Sequence, residues 1–352
     1  MKFKNKSRFF LVIILLANCC ISIKSFTTNA SKTKNLIQKV VSSDTSSLNT
    51  RVKSSNIGSL RAWPISKDPK GMAPDYPLTA SRVSITIFAT FLTWWAQKQY
   101  SNVLASSAIT LICSICFDRR LGQAAFCGTF AGMSSRAVIP TWQGAVGLGA
   151  LTSILFEWLI HKNNLFYGIG GRLGVIAFIA TNIVAALVDV PTGMSMSSFQ
   201  SLLSSLKKTT LIRFACWHAL GSVATIALRE ASDDSAAADP VRASAVVGLI
   251  GALLLEDKVA ALALYGGSFV GMSLPSRLLF GIIPGKERGN KSRKTPTFAH
   301  LFISYGLAGA LGGLIHGATV NGGLYACGWG GKAGFCAFIG CLIFRIITKI
   351  IP

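Results

Sequence analysis

Cys127-Gly128-Thr129-Phe130-Ala131-Gly132-Met133-Ser134 returns in altered form as Gly266-Gly267-Ser268-Phe269-Val270-Gly271-Met272-Ser273. The shared pattern is G-[ST]-F-x-G-M-S. A second pair follows in the same order. Gly168-Ile169-Gly170-Gly171-Arg172-Leu173-Gly174-Val175-Ile176-Ala177-Phe178-Ile179 matches Gly328-Trp329-Gly330-Gly331-Lys332-Ala333-Gly334-Phe335-Cys336-Ala337-Phe338-Ile339, giving G-x-G-G-[RK]-x-G-x-x-A-F-I. Two motifs that recur in one order mark an internal duplication. Phe117-Asp118-Arg119 and Glu256-Asp257-Lys258 extend the first pair upstream. A weaker match sets Phe91 and Trp94 against Phe214 and Trp217.

Outward from these motifs, each copy divides into five apolar segments, about 82–99, 102–117, 121–140, 143–161 and 170–190, then about 208–229, 241–255, 259–280, 298–317 and 331–350. The second segment of each copy is short for a span, so it either crosses tightly or is re-entrant. The expected fold is an all-α polytopic membrane protein, with about ten transmembrane helices as two five-helix inverted repeats, 82–190 and 207–350. Five is odd, so consecutive copies enter the bilayer from opposite sides. Loop charges agree. With the N-terminus inside, the inside loops carry Arg119, Arg120, Lys162, Arg229, Arg242 and the basic loop 285–294, whereas the outside loops carry fewer cations.

Composition supports lipid as the solvent. The chain is 352 residues long, 51% hydrophobic and only 14% charged, with mean hydropathy +0.51; soluble domains carry about a quarter charged residues. Its 34 glycines lie largely within apolar runs, where small residues let membrane helices approach. The net charge of +22 comes from the N-terminal region and the loops, which argues for targeting and orientation and against a nucleic-acid partner. The expected partners are the lipid bilayer and a small solute, with a homo-oligomer or a larger membrane complex left open. Seven cysteines beyond Cys19 and Cys20 lie in apolar segments, which is not a disulfide framework. Cys113-x-x-Cys116 has no second pair to complete a metal site and reads as apolar filler. No metal or cofactor is expected.

Lys2, Lys4, Lys6 and Arg8 precede a short apolar run from Phe9 to Ala17, which predicts a signal peptide over 1–25. From 26 to 62 the chain is rich in Ser, Thr, Lys and Arg with one acid, Asp44, the composition of a transit peptide. With Phe26 just after the cleavage region, this arrangement resembles the bipartite presequence of complex-plastid algal proteins. The resemblance covers the presequence alone and implies a plastid membrane, envelope or thylakoid. Residues 63–81, punctuated by proline and glycine, read as a linker.

The G-x-G-G-[RK] elements open the last segment of each copy. Gly170, Gly171 and Arg172, with Gly330, Gly331 and Lys332, suit an anion held by exposed N–H groups and a cation. They equally suit close helix packing with a snorkelling basic residue. Glu157 and His316 fall one position apart in the duplicated alignment. They are candidates for a proton relay or polar solute contact, or else are helix-end residues; His218 is a further candidate. The Gly128/Gly132 and Gly267/Gly271 pairs suit helix contact, with Ser134 and Ser273 as alternative solute-lining groups. Asp118 and Asp257 read as helix caps. No HExxH, G-x-S-x-G or paired intramembrane acid occurs, so no enzyme is expected. The expectation is a transporter or channel for a small polar or anionic solute. The alternative is a scaffold or assembly factor for a plastid membrane complex. Five-plus-five inverted halves also look like urea-transporter-like folds, a likeness of architecture alone.

Overall fold

A computed structural model describes residues 76–188, 190, 207–231, 239–279, 297–325 and 328–350. The signal peptide, the transit peptide, most of the linker and the basic loop 285–294 lie outside the described residues. The described residues all belong to one unit, Pro74–Pro352, and their regular structure is helical. α1 is Tyr76–Ala96, α2 Asn102–Cys116, α3 Arg119–Gly132, α4 Trp142–Phe156 running into a π-helical turn Glu157–Lys162, and α5 Arg172–Leu187. The second copy gives α6 Lys208–Glu230, α7 Pro240–Leu254, α8 Lys258–Gly271, a single turn α9 Pro275–Leu278, α10 Phe298–Asn321 and α11 Lys332–Ile350.

Short polar side chains start many of these helices. Ser101, Asp118, Thr141, Asp239, Asp257 and Thr297 each accept a first-turn backbone N–H, satisfying donors that an apolar environment would leave stranded. Asp118 and Asp257 are thus caps, as expected. α1 begins at Tyr76, so the linker ends earlier than residue 81; Pro77 is accommodated in the first turn, where its missing N–H costs nothing.

Among the described residues, four helices are long and apolar enough to cross a membrane: Trp142–Lys162, Lys208–Glu230, Phe298–Asn321 and Lys332–Ile350. Large apolar side chains such as Ile154, Ile212, Ile303 and Ile346 stand exposed on their flanks. The other helices fall short of that standard, which departs from ten equivalent spans. α2 and α7 have 15 residues each and α3 and α8 have 14, so they rise only about 20 Å against a hydrocarbon core of about 30 Å. The apolar runs 121–140 and 259–280 are not single helices. Both helices stop at the G-M-S triplet, and the apolar residues beyond it, such as Val138, Ile139 and Leu278, pack as connections.

The ends of α3 and α8 are buried, so their last carbonyls need donors. Gln97 Nε2 reaches Gly132 O and, at 3.3 Å, Ser134 O. At the matching place Arg229 Nη1 reaches Gly271 O at 2.6 Å and Ser273 O at 2.9 Å. The glycines explain the close crossing: a Cβ on Gly128 or Gly132 would strike the backbone of Thr86 or Thr90, and one on Gly267 or Gly271 that of His218 or Ser222. The structural register therefore pairs Thr86 with His218 and Thr90 with Ser222. This corrects the alignment of Phe91 and Trp94 with Phe214 and Trp217, which aromatic spacing alone had suggested.

Between the copies, α2 packs on α7 and α5 on α11. Phe130 meets its own counterpart Phe269 at 4.6 Å between ring centroids, with Phe126 and Tyr265 around them. Gly174 and Gly334, also counterparts, face each other backbone to backbone.

Candidate functional site

The glycine turns come together, each seated on the other copy's G-M-S triplet. Gly170 N–H donates to Ser273 Oγ at 2.8 Å, and Gly330 N–H donates to Ser134 Oγ at 3.1 Å. Leu274 N–H donates to Gly168 O and Ser135 N–H to Gly328 O, both at 2.8 Å. The serine hydroxyls also touch the following helices, Ser134 to Thr181 at 3.2 Å and Ser273 to Cys341 at 3.5 Å. Gly171 and Gly331 take positive φ, +79° and +76°, a conformation that glycine adopts without strain. A Cβ on Gly170 would strike Phe269 O, and one on Gly330 would meet Ala131 O at 2.6 Å.

These contacts correct two expectations. The N–H groups of Gly170 and Gly330 are used by serines and do not offer themselves to an anion. Ser134 and Ser273 are the clasps of the glycine turns, not solute-lining groups. The turns meet through close backbone packing.

A cavity of about 310 Å³ lies to one side of this contact, at the small end of the range for ligand sites. His316, Thr319, Tyr325, Trp329 and Lys332 line it from the second copy, and Phe130 from the first. Gly331 also borders it. Lys332 stands at the first position of α11 and donates to Leu324 O at 2.6 Å and Tyr325 O at 3.4 Å. No carboxylate pairs with it among the described residues.

His316 is 1% exposed and its Nδ1 lies 3.0 Å from Nε2 of His218, which is fully buried. The rings stand nearly perpendicular, and Phe214 covers the outer face of His316 at 4.7 Å. His218 Nδ1 is buried with no hydrogen-bond partner. Spacing singled out both histidines but not their pairing, because they are 98 residues apart in sequence.

Glu157 does not join His316. It receives Arg82 Nε at 2.5 Å and Nη2 at 2.8 Å, a bidentate pair with side chains 6% and 19% exposed. Arg82 went unnoticed in the sequence because a cation near the start of a helix reads as a flank. The duplication explains why the relay is absent. Gly149 and Gly309 sit at matching points against α1 and α6, and Phe156 and His316 each stand seven residues further on. His218 and His316 thus occupy the places that Thr86 and Phe156 hold in the first copy. Arg82 and Glu157 occupy those of Phe214 and Gly317.

Arg172 is the counterpart of Lys332. Its guanidinium lies 5.6 Å above the Tyr167 ring, whose other neighbour is Arg277 at 5.8 Å, and its Nη1 is buried without a hydrogen-bond partner. A Cβ on Gly168 would meet the Arg277 and Leu274 side chains, which pack closely on this turn. Among the described residues no group of three or more His, Cys, Asp or Glu could hold a metal ion. Cys113 and Cys116 are not joined in a disulfide. No protein-family model matches the chain, and no curated protein or solved structure matches it.

Proposed function

We propose that the chain is a multi-pass carrier for a small anion, built from two five-helix halves inverted about a pseudo-two-fold axis through the Phe130–Phe269 and Gly174–Gly334 contacts. The observation that carries this reading is the asymmetry of two equivalent basic positions. Lys332 lines a cavity, whereas the Arg172 guanidinium is stacked on Tyr167, with Arg277 against the same ring. Under the loop-charge orientation, Lys332 lies toward the face opposite the N-terminus and Arg172 toward the N-terminal face. A carrier open on one side and closed on the other needs such related half-sites. A plastid membrane is the proposed location, on the strength of the presequence alone.

The test is flux. Proteoliposomes are loaded with radiolabelled pyruvate, nitrate or inorganic phosphate. At least one should cross saturably, and Lys332→Gln should cut that flux at least tenfold while eluting as the native protein does. No flux of any of the three from intact protein overturns the reading.

The close contact between the glycine turns favours a second reading, a non-transporting scaffold. It expects Lys332→Gln and Arg172→Gln to be silent and the chain to co-purify with a larger membrane complex.

A further inference from the structure

We infer that the His218–His316 pair binds a proton together with the anion held at Lys332, so that the chain moves a monocarboxylate and a proton as one neutral cargo; this rests on the carrier reading above.

The cavity selects the anion class. It offers one ammonium and the Thr319 hydroxyl against the rings of Phe130, Tyr325 and Trp329. One cation and an apolar wall suit a singly charged carboxylate with an apolar end better than a doubly charged phosphate, whose second charge would stay unpaired.

Coupling follows from charge. His316 lines the same cavity as Lys332. Its Nδ1 is taken by His218, which leaves Nε2 as the ring's remaining hydrogen-bonding atom. While the cavity is empty, a proton on the pair would put a second cation beside an unpaired ammonium in a water-poor site. A carboxylate at Lys332 cancels the first charge and removes that cost. Binding of either species then promotes the other by the same factor.

The pair is built to accept one proton. In its neutral state a single N–H bridges Nε2 of His218 and Nδ1 of His316. A proton arriving from the cavity at His316 Nε2 makes that ring an imidazolium whose Nδ1–H donates to His218. Transfer along this bond moves the charge to His218, whose Nδ1 already carries its proton in this tautomer, so the pair holds one added proton in all. That Nδ1 is the buried atom without a partner. No bond other than N–H forms or breaks, and the proton comes from solvent. Few other titratable groups face the pair. α11 brings Lys332 and Cys336. α8 presents Gly266 to the His218 ring, and its Tyr265 is turned to Ser106 at 3.2 Å. The first copy has Thr86 and Phe156 at these places and cannot do the same.

The experiment is calorimetric titration of the purified full chain in detergent with pyruvate, in two buffers of different ionisation heat. Wild type should bind pyruvate with net uptake of about one proton, and affinity should tighten roughly tenfold per unit fall in pH, as one-proton linkage requires. His316→Gln and His218→Gln should bind pyruvate with no proton uptake, and Lys332→Gln should not bind it. Binding by wild type without proton uptake, or uptake that survives His316→Gln, overturns the coupling and leaves the carrier reading standing. No binding of pyruvate by wild type overturns the inference, while nitrate or phosphate flux would still uphold the carrier. The wild-type measurement decides the matter even where a histidine variant fails to fold.

Discussion

Ser273 Oγ holds the N–H of Gly170 at 2.8 Å, one copy's G-M-S triplet clasping the other copy's glycine turn. Ser134 does the same for Gly330. Each motif of the duplication is therefore the binding site of the other, which is why both survive in both copies. Gly170→Ala and Gly330→Ala place a methyl group on backbone carbonyls that cannot retreat. Each should lower stability by about 2–4 kcal/mol, in the range of overpacked cores and somewhat above it. Gly323→Ala is the control, because it has positive φ but open space around it, and should cost about 1–2 kcal/mol. Thermal unfolding in detergent separates the two classes; equal losses at Gly323 and Gly170 would refute the clasp.

Arg229 and Gln97 do one job in two copies, donating to the carbonyls that end α8 and α3. The job needs a donor of that reach rather than a charge. Arg229→Gln should stay within about 1 kcal/mol of wild type. Arg229→Leu strands the buried Gly271 carbonyl, while Ser273 O keeps the Tyr305 hydroxyl at 2.6 Å, and should cost about 1–3 kcal/mol. Unfolding midpoints of the two variants give the answer, and equal losses would mean that the charge itself matters.

The sequence made the duplication, the caps and the meeting of the glycine turns legible, because each depends on residue types at fixed spacing. It did not reveal where α3 and α8 stop. Val138, Ile139 and Leu278 keep the apolar run going after the backbone has turned, and hydropathy does not record a turn. Nor did it reveal the partners of Glu157 and His316, which lie 75 and 98 residues away. The small error in the duplicated register came from matching Phe91 and Trp94 by aromatic type, when the conserved role at that crossing is played by Thr86, Thr90 and their backbone.

The Arg82–Glu157 pair ties α1 to the π-helical end of α4. Both side chains are largely buried and hydrogen-bonded to each other, so removing one leaves the other's charge uncompensated. Arg82→Met and Glu157→Leu should each cost about 3–5 kcal/mol, and the double variant less than either alone. Pyruvate affinity and its proton uptake should be unchanged in the double variant. A loss of proton uptake there would return Glu157 to the relay.

The inverted arrangement proposed above makes a prediction about sidedness. Asn163 caps the π-helical turn that continues α4, and Asn321 is the last residue of α10, the equivalent helix in that arrangement. Both are polar, Asn163 exposed and Asn321 half-buried, so a cysteine is tolerated at either. In intact vesicles of one orientation, with the exposed Cys216 replaced by serine, a membrane-impermeant maleimide should label Asn163→Cys from one side only and Asn321→Cys from the other only. Asn163 should share its side with Lys349 and the C-terminal end, as the distribution of basic loops requires. Labelling of both turns from one side would mean that the copies lie parallel. The cavity at Lys332 and the Arg172 site would then face the same compartment, and a solute bound at one could not be released across the bilayer through the other.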